Sequence, residues 1–301
     1  MKVYNSLNIN KKHKNGIVAI GNFDGVHLGH QRVINQAKKK AKTNKLPIGI
    51  ITFEPVPVMF FNSQIKNHRI NLLDQKKNQL KKLNLDFLII IKFNKDFSLL
   101  SEQQFIKNII YKKTNCRFLF VSKNFKFGFK RKGNIKTLKK FESLYKYQTV
   151  ITKPFKKNKI TISSTLIRKK ISLGKIIDVN KLLNREWSVK GKVIKGKRRG
   201  RTIGFPTCNI KLDNYIVPRL GVYAVRVKGR GFSKKGIANV GYRPTFNGQN
   251  LLLETNIFGI NKNLYNKEIT INFNKFIRPE KKFRDLEHLK KQIKIDIKKV
   301  K

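Results

Sequence analysis

The chain has 301 residues, enough for two domains that each bury a real core, and its 40% hydrophobic and 10% aromatic content excludes a disordered polymer. A formal charge of +53, from 69 Lys and Arg against 16 Asp and Glu, suggests a polyanion partner on its face. The lysines run along the whole chain together with Asn and Ile instead of gathering in one stripe, so the excess reads as compositional bias on solvated faces.

The opening segment MKVYNSLNINKKHKNG has no apolar stretch behind its basic residues, so it does not read as a secretory signal. No apolar run approaches the roughly 18 residues of a membrane span. Cys116 and Cys208 lie far apart and match neither a disulfide framework nor a metal-ligand spacing. The expected setting is cytoplasmic, with no membrane and no specific nucleic acid as partner.

From residue 16 to about 155, strand-like runs (GIVAIGNF, LPIGIITF, LDFLIIIKF, CRFLFVS, TVITKPF) alternate with helical patterns (HQRVINQAKKKAK, LLDQKKNQLKKL, SEQQFIKNIIYKK). Ser101 and Gln104 are spaced for a capping box. Alternation of this kind predicts an α/β domain, a Rossmann-like parallel sheet with helices on both faces and ligands outside the carboxyl ends of its strands. After STLIRKKISLGKIIDVNKLLNRE the pattern changes to WSVKGKVIKG, GVYAVRVKG, GIANVGYR, LLLETNIF and KEITINFNKFI, with no helix expected between them. That predicts an all-β barrel or sandwich. A terminal helix, LEHLKKQIKIDIKKV, would carry Leu286, Leu289, Ile293 and Ile297 near one face. The expected domains are 1–184 and 185–301.

GNFDGVHLGHQ (21–31) falls where the first of these strands meets the first helix. Gly21, Gly25 and Gly29 let the backbone approach an anion closely, and free N–H groups with a helix dipole would face it. His27 and His30, three apart, would reach the same point and suit a phosphate whose charge grows in a transition state. By itself such a pair could equally be a satisfied surface pair.

H-x-G-H after a strand resembles the signature of the nucleotidyltransferase superfamily, and the longer GNFDGVHLGHQ resembles the form found in prokaryotic bifunctional riboflavin kinases and FAD synthetases. TFEPVPVMFF (52–61), NFKFGFKRKGN (124–134) and ISSTLIR (162–168) match that family in the same order. The resemblance implies that 1–184 adenylylates FMN with ATP. His27 and His30 would be catalytic, and Asn22, Phe23, Asp24, Gly25, Gly29, Asn124, Ser163, Ser164, Thr165 and Arg168 would bind ATP or FMN. Without the resemblance, SSTLIR would read as a helix N-cap and NFKFG as a turn. The chain departs from the family at Val56, usually His, and Ser122, usually Gly.

In the second half, GKVIKGKRRGRTIGFPTCNI (191–210) resembles the riboflavin kinase motif around GFPTxN, and GIANVGYRPTF, LLLETNIF and FIRPEKKF match the rest of that module. No G-x-x-x-x-G-K-[ST] occurs, so the triphosphate would sit in a Gly- and Arg-rich loop and not in a P-loop. The resemblance implies ATP and flavin contacts from Gly196, Arg201, Gly204, Pro206, Thr207, Asn209 and Arg278. Thr207 and Asn209 would contribute neutral oxygens to Mg²⁺, whose shell ATP phosphates and water complete. Glu254, which alone would read as an edge-strand Glu paired with Lys, would be the base that deprotonates the riboflavin 5′-hydroxyl. The family's His after LET is Asn256 here. The expected substrates are ATP, riboflavin and FMN, and the expected state is a monomer or weak homo-oligomer. Two rivals share parts of the pattern: a different adenylyl or cytidylyl transferase, and a basic RNA or DNA binder, which predicts salt-sensitive nucleic-acid affinity without ATP turnover.

Overall fold

A computed structural model of the chain describes residues 1–157, 159–196, 199–245, 248–260 and 262–300. Lys197, Arg198 and Phe246, which belong to the kinase-like motifs above, lie outside the described residues. The chain folds as two units, Met1–Ile65 with Leu72–Ser163, and Lys66–Asn71 with Ser164–Lys301.

The first unit is built on a six-stranded sheet: β1 (Lys2–Tyr4), β2 (Ile17–Ile20), β3 (Ile48–Glu54), β4 (Phe87–Lys92), β5 (Phe118–Ser122) and β6 (Gln148–Thr152). Its order is β1-β4-β3-β2-β5-β6 and every pair is parallel. The inner strands β2 to β5 are apolar on both faces because both are covered, as a parallel sheet requires. In β2, Ile17 and Ala19 join the core that holds Ile34 and Ala37 of helix Leu28–Asn44 and Leu80 of helix Leu73–Lys81. Val18 and Ile20 join the opposite core with Phe105, Ile106 and Ile109. That second cover starts as expected, with Ser101 and Gln104 capping each other through bonds of 3.1 and 2.9 Å. It then continues over Ile106–Thr114 with π-helical winding, which the 3.6-residue pattern did not predict. β1 was not predicted either, since three residues carry no periodicity and only pairing with β4 makes them a strand.

The chain steps from β2 outward through β3 to β4, then returns to the other side of β2 with β5. The order reverses between β2 and β5, and the carboxyl ends of strands at such a reversal are where sheets of this kind usually bind their ligands in a crevice. A two-stranded ribbon, β7 (Lys156–Lys157) and β8 (Ile160–Thr161), follows β6.

The second unit holds a six-stranded antiparallel sheet: β9 (Trp187–Lys192), β10 (Cys208–Lys211), β11 (Gly221–Gly229), β12 (Phe232–Thr245), β13 (Gly248–Ile257) and β14 (Glu268–Arg278), ordered β10-β13-β12-β11-β14-β9. The Ile194 amide donates to the Asn209 carbonyl at 2.9 Å, bringing the chain after β9 back to β10 and nearly closing the sheet into a barrel. Its core packs Trp187, tilted, and Tyr223, edge-on, against Phe273, with centroids 4.7 and 5.0 Å apart, and all three side chains are fully buried. Removing a ring of this kind costs about 3–5 kcal/mol. Where no helix was expected between strands, a short one runs over Arg199–Thr202.

Helices Ser164–Ser172 and Ile176–Leu183 belong to this unit. Asn180 ties the second of them to the sheet by donating to the Phe273 carbonyl at 2.8 Å and accepting from the Trp187 amide at 2.7 Å. Segment Lys66–Asn71 is held here too: the Ile216 amide donates to the Arg69 carbonyl at 2.8 Å and Trp187 Nε1 to the Ile70 carbonyl at 2.9 Å. Burial and the charges of Arg168 and Arg69 push His68 on this segment down from 6.5 to about 4. The unfolded chain therefore takes up a proton below 6.5 that the folded chain refuses until about 4, and stability should fall as pH falls through that window. Thermal melts at pH 7 and pH 5 should show this loss, and His68→Gln should flatten it; an unchanged slope in the variant would assign the loss to other groups.

Candidate functional site

The turn after β2 has an unusual backbone. Phe23, Gly25 and Val26 all have positive φ, at 47°, 81° and 39°. Two of them are not glycine, so the turn holds strain that its surroundings must maintain. Phe23, Asp24, Val26 and His27 are buried. His27 is the N-cap of helix Leu28–Asn44 and its Nδ1 accepts from the His30 amide at 3.4 Å. A neutral imidazole that accepts at Nδ1 carries its proton on Nε2. The two rings stack with centroids 3.7 Å apart, and Phe23 lies 5.1 Å from His30 on the other side.

His30 Nδ1 is buried and, among the described residues, has no hydrogen-bond partner. Burial, then His27, then Lys76 hold the His30 pKa well below 6.5, so the ring is neutral at neutral pH. Gly29 leaves room for the packing around it: a Cβ there would sit 3.0 Å from His27 and 3.3 Å from the Ile162 carbonyl, tighter than ordinary contact. Ile162 immediately precedes Ser163, so the start of the ISST segment runs against this helix N-terminus.

Asn124 lies just past the end of β5, exposed, at the carboxyl end of the strand next to β2. Ser122 ends that strand and Val56 is buried as the N-cap of helix Pro57–Phe61, so the two departures occupy backbone-ordering positions here. Ser164, Thr165 and Arg168 lie on helix Ser164–Ser172 of the second unit, with Arg168 close enough to His68 to depress it. Ser163 belongs to the first unit.

In the second unit, a cleft of about 1010 Å³ opens on one face of the sheet. On β13, Leu253 and Thr255 are buried while Leu252, Glu254 and Asn256 line the cleft, as the alternation required. The register then places a row of cleft residues across the strands. Asn209 of β10 and Asn239 of β12 each stand opposite Glu254, Val222 of β11 stands opposite Asn239, and Arg278 of β14 opposite Val222. Direct cross-strand neighbours stand about 5 Å apart, so the carboxylate is flanked by two amides.

Asn209 Oδ1 is buried and, among the described residues, unbonded. A Cβ on Gly196 would fall 2.0 Å from Asn209 Nδ2, so only glycine lets the loop cross that amide. Thr207 and Gly200 line the same end of the cleft, while Arg201, Gly204 and Pro206 are exposed near it. Asn256, the departure from the family's His, donates from Nδ2 to the Pro206 carbonyl at 2.7 Å and so pins the GFPT segment.

Arg278 lines the cleft but is also engaged: its Nε donates to both oxygens of Asp296 at 3.1 and 2.9 Å, and its Nη2 lies 2.8 Å from Oδ2. Asp296 is 1% exposed. The terminal helix, Leu286–Lys298, therefore attaches through a buried ion pair, and its predicted apolar face behaves differently from a core face. Leu286, Leu289 and Ile293 line the cleft, with Leu286 half exposed.

Two further residues of these constellations stand outside the candidates named from the sequence. Asn239 could have been found by counting registers across the β12–β13 hairpin. Lys76 is 1% exposed, and its Nζ donates to the Asn22 carbonyl at 3.0 Å and to Thr52 Oγ1 at 3.2 Å. The signal for it was a Lys four residues from both Leu72 and Leu80, on an apolar helical stripe.

Comparisons with known proteins follow the same division. A family model for FAD synthetase matches residues 9–166 and one for riboflavin kinase matches residues 183–301. The bifunctional riboflavin kinase/FMN adenylyltransferase of Buchnera aphidicola subsp. Schizaphis graminum is 41% identical over 98% of this chain and 96% of its own. The protein of that name from Escherichia coli K12 is 34% identical over 92% of this chain and 89% of its own. A crystal structure titled a macrolide-efflux protein from Streptococcus pneumoniae superposes with a TM-score of 0.87 at 29% identity, covering 99% of this chain and 97% of that one. Among the described residues, no helix of this chain is long and apolar enough to cross a membrane.

Proposed function

The chain belongs to the family of bifunctional riboflavin kinase/FMN adenylyltransferases, and on that premise we propose which of its residues carry each reaction. It phosphorylates riboflavin with ATP to give FMN, and joins FMN to the AMP part of a second ATP to give FAD and pyrophosphate. Residues 1–184 are assigned to adenylyl transfer and 185–301 to the kinase. A cytoplasmic location fits Cys116 and Cys208, both buried and free.

The two chemistries differ in what they require. FMN attacks the α-phosphate with an oxygen that is already anionic, so this step needs positioning and donors for growing charge, not a strong base. The stacked His27 and His30 on an amide-lined turn supply such donors. Asn22, Phe23, Asp24, Gly25 and Gly29 form the cradle, Asn124 follows the carboxyl end of the neighbouring strand, and Ser163, Ser164, Thr165 and Arg168 are assigned to the departing pyrophosphate. The riboflavin 5′-hydroxyl is neutral and must lose its proton as it attacks the γ-phosphate. Glu254 is assigned to take it.

Asn209 and Thr207 are the residues that would hold Mg²⁺, because Asn209 Oδ1 is a buried acceptor without a donor among the described residues. A bound Mg²⁺ offsets phosphate charge and needs few protein ligands when phosphates and water fill its shell. Gly196, Arg201, Gly204 and Pro206 are assigned to ATP and Arg278 to the flavin side. Asn209→Leu should raise the Mg²⁺ concentration needed for half-maximal riboflavin phosphorylation by about tenfold or more. Titrating Mg²⁺ at fixed ATP tests it, and an unchanged midpoint would remove Asn209 from the metal site.

The observation that carries the assignment is that each unit holds its own constellation: the histidine pair at the switch point of one sheet, and the Asn209–Glu254–Asn239 row on the other. Flavin chromatography during incubation with riboflavin and Mg-ATP tests it. FMN should rise before FAD, His30→Ala should accumulate FMN, and Glu254→Gln should make FAD only when given FMN. FAD appearing with no FMN precursor would refute it.

A further inference from the structure

Lys76 is an ammonium group with 1% exposure in the first unit, and nothing in the reaction as assigned so far uses it. Its Nζ meets the Asn22 carbonyl oxygen at 3.0 Å, and Thr52 Oγ1 donates to the same oxygen at 3.0 Å. Lys76 Nζ and Thr52 Oγ1 are themselves 3.2 Å apart. One carbonyl is thus gripped from a helix, Leu73–Lys81, and from a strand, β3.

The grip falls at a decisive point. Asn22 opens the turn in which Phe23 and Val26 hold positive φ, and such conformations persist only when the surroundings impose them. In a trans peptide the carbonyl and the next N–H point to opposite sides. Drawing the Asn22 oxygen inward to Lys76 therefore turns the Phe23 N–H outward, to the side from which an anion can approach. A buried ammonium beneath that turn also adds positive potential where phosphate charge grows. The same charge lies near His30, whose neutral state it favours together with burial and His27.

We propose that Lys76 is a positioning residue for adenylyl transfer, which clamps the Asn22 carbonyl and so aims the backbone donors of the Gly21–Gly25 turn at the nucleotide α-phosphate. It rests on the assignment of that turn to adenylyl transfer. The two fail separately: if His30→Ala leaves FAD formation intact the site assignment is wrong, whereas loss in His30→Ala with retention in the Lys76 variant overturns only the clamp.

The kinase activity of the same chain serves as an internal control. Lys76→Met should lower kcat for FAD formation from FMN about 100-fold, as misaimed positioning does, with a smaller change in KM for FMN. Riboflavin phosphorylation by the same sample should stay within about twofold, because Lys76 belongs to the other unit and, among the described residues, shares no partner with the kinase residues. His30 faces His27 from its own helix and Lys76 from helix Leu73–Lys81, so loss of the Lys76 charge should also move the acidic limb of the adenylylation profile to higher pH. Thr52→Val, which removes the second donor and no charge, should give a drop of about tenfold with the acidic limb in place. FAD formation within about threefold of the parent in both variants would overturn the proposal. So would a parallel loss of both activities and of thermal stability with no movement of the acidic limb, which would make Lys76 a structural residue only.

Discussion

His30→Ala should lower FAD formation from FMN and ATP by about 10²–10³-fold, the usual consequence of removing one preorganised donor from a transition state in which charge accumulates. The ring is held for this work before substrate arrives. It is stacked at 3.7 Å on His27, flanked by Phe23, kept neutral by burial and by the neighbouring charges, and its Nδ1 is buried without a partner among the described residues. A neutral donor binds the ground-state phosphate modestly and the more highly charged transition state strongly, so the loss should appear in kcat more than in KM. Riboflavin phosphorylation measured on the same sample separates this from unfolding. Retention of FAD formation within about tenfold would place the adenylyl site elsewhere.

Glu254→Gln should reduce riboflavin phosphorylation by about 10³-fold, within the range for loss of a general base, while FAD formation from added FMN continues. The substitution keeps the shape of the side chain and its place between Asn209 and Asn239, and changes its ability to take a proton. A Glu that merely paired with a surface Lys would give a different result. Its loss would cost at most about 1 kcal/mol of stability and leave the rate intact. Full kinase activity in Glu254→Gln would therefore return the residue to that structural role. Together the two variants should dissect the chain into an FMN producer and an FMN consumer, and mixing them should restore conversion of riboflavin to FAD.

How much of this was legible in the sequence depends on the range of the interactions involved. The turn of residues 21–31 could be placed between strand and helix because apolar alternation and helical spacing are local patterns. Its three glycines and two histidines occupy one contiguous stretch. The Ser101–Gln104 capping box is equally local and formed as expected. Glu254 could be assigned to the face opposite Leu253 and Thr255 by alternation alone. Strand β1 could not be read, because its three residues become a strand only by pairing with β4, far along the chain. The spacing of the terminal helix makes it amphipathic. That Leu286, Leu289 and Ile293 border a cleft while Asp296 is the buried residue is set by Arg278 and the sheet.

Lys76 shows the same limit from the other side. Lys76, Lys77, Lys81 and Lys82 are alike in composition, and the charge of +53 makes any one lysine look like background. Helical phase sets Lys76 apart from its neighbours, and only the fold brings Asn22 and Thr52 to its ammonium.

The sequence by itself determined the two kinds of domain, the family, and the motif stretches to which the chemistry is assigned, since periodicity and motif spacing are properties of contiguous residues. The tertiary structure alone decided which donors and acceptors meet: the gripped Asn22 carbonyl, the buried Asn209 oxygen that has no partner among the described residues, and the row that sets Glu254 between two asparagines. Desolvation and electrostatic coupling are set by distance in space, and residues 22, 52 and 76 become neighbours only when the sheet and its helices close around them.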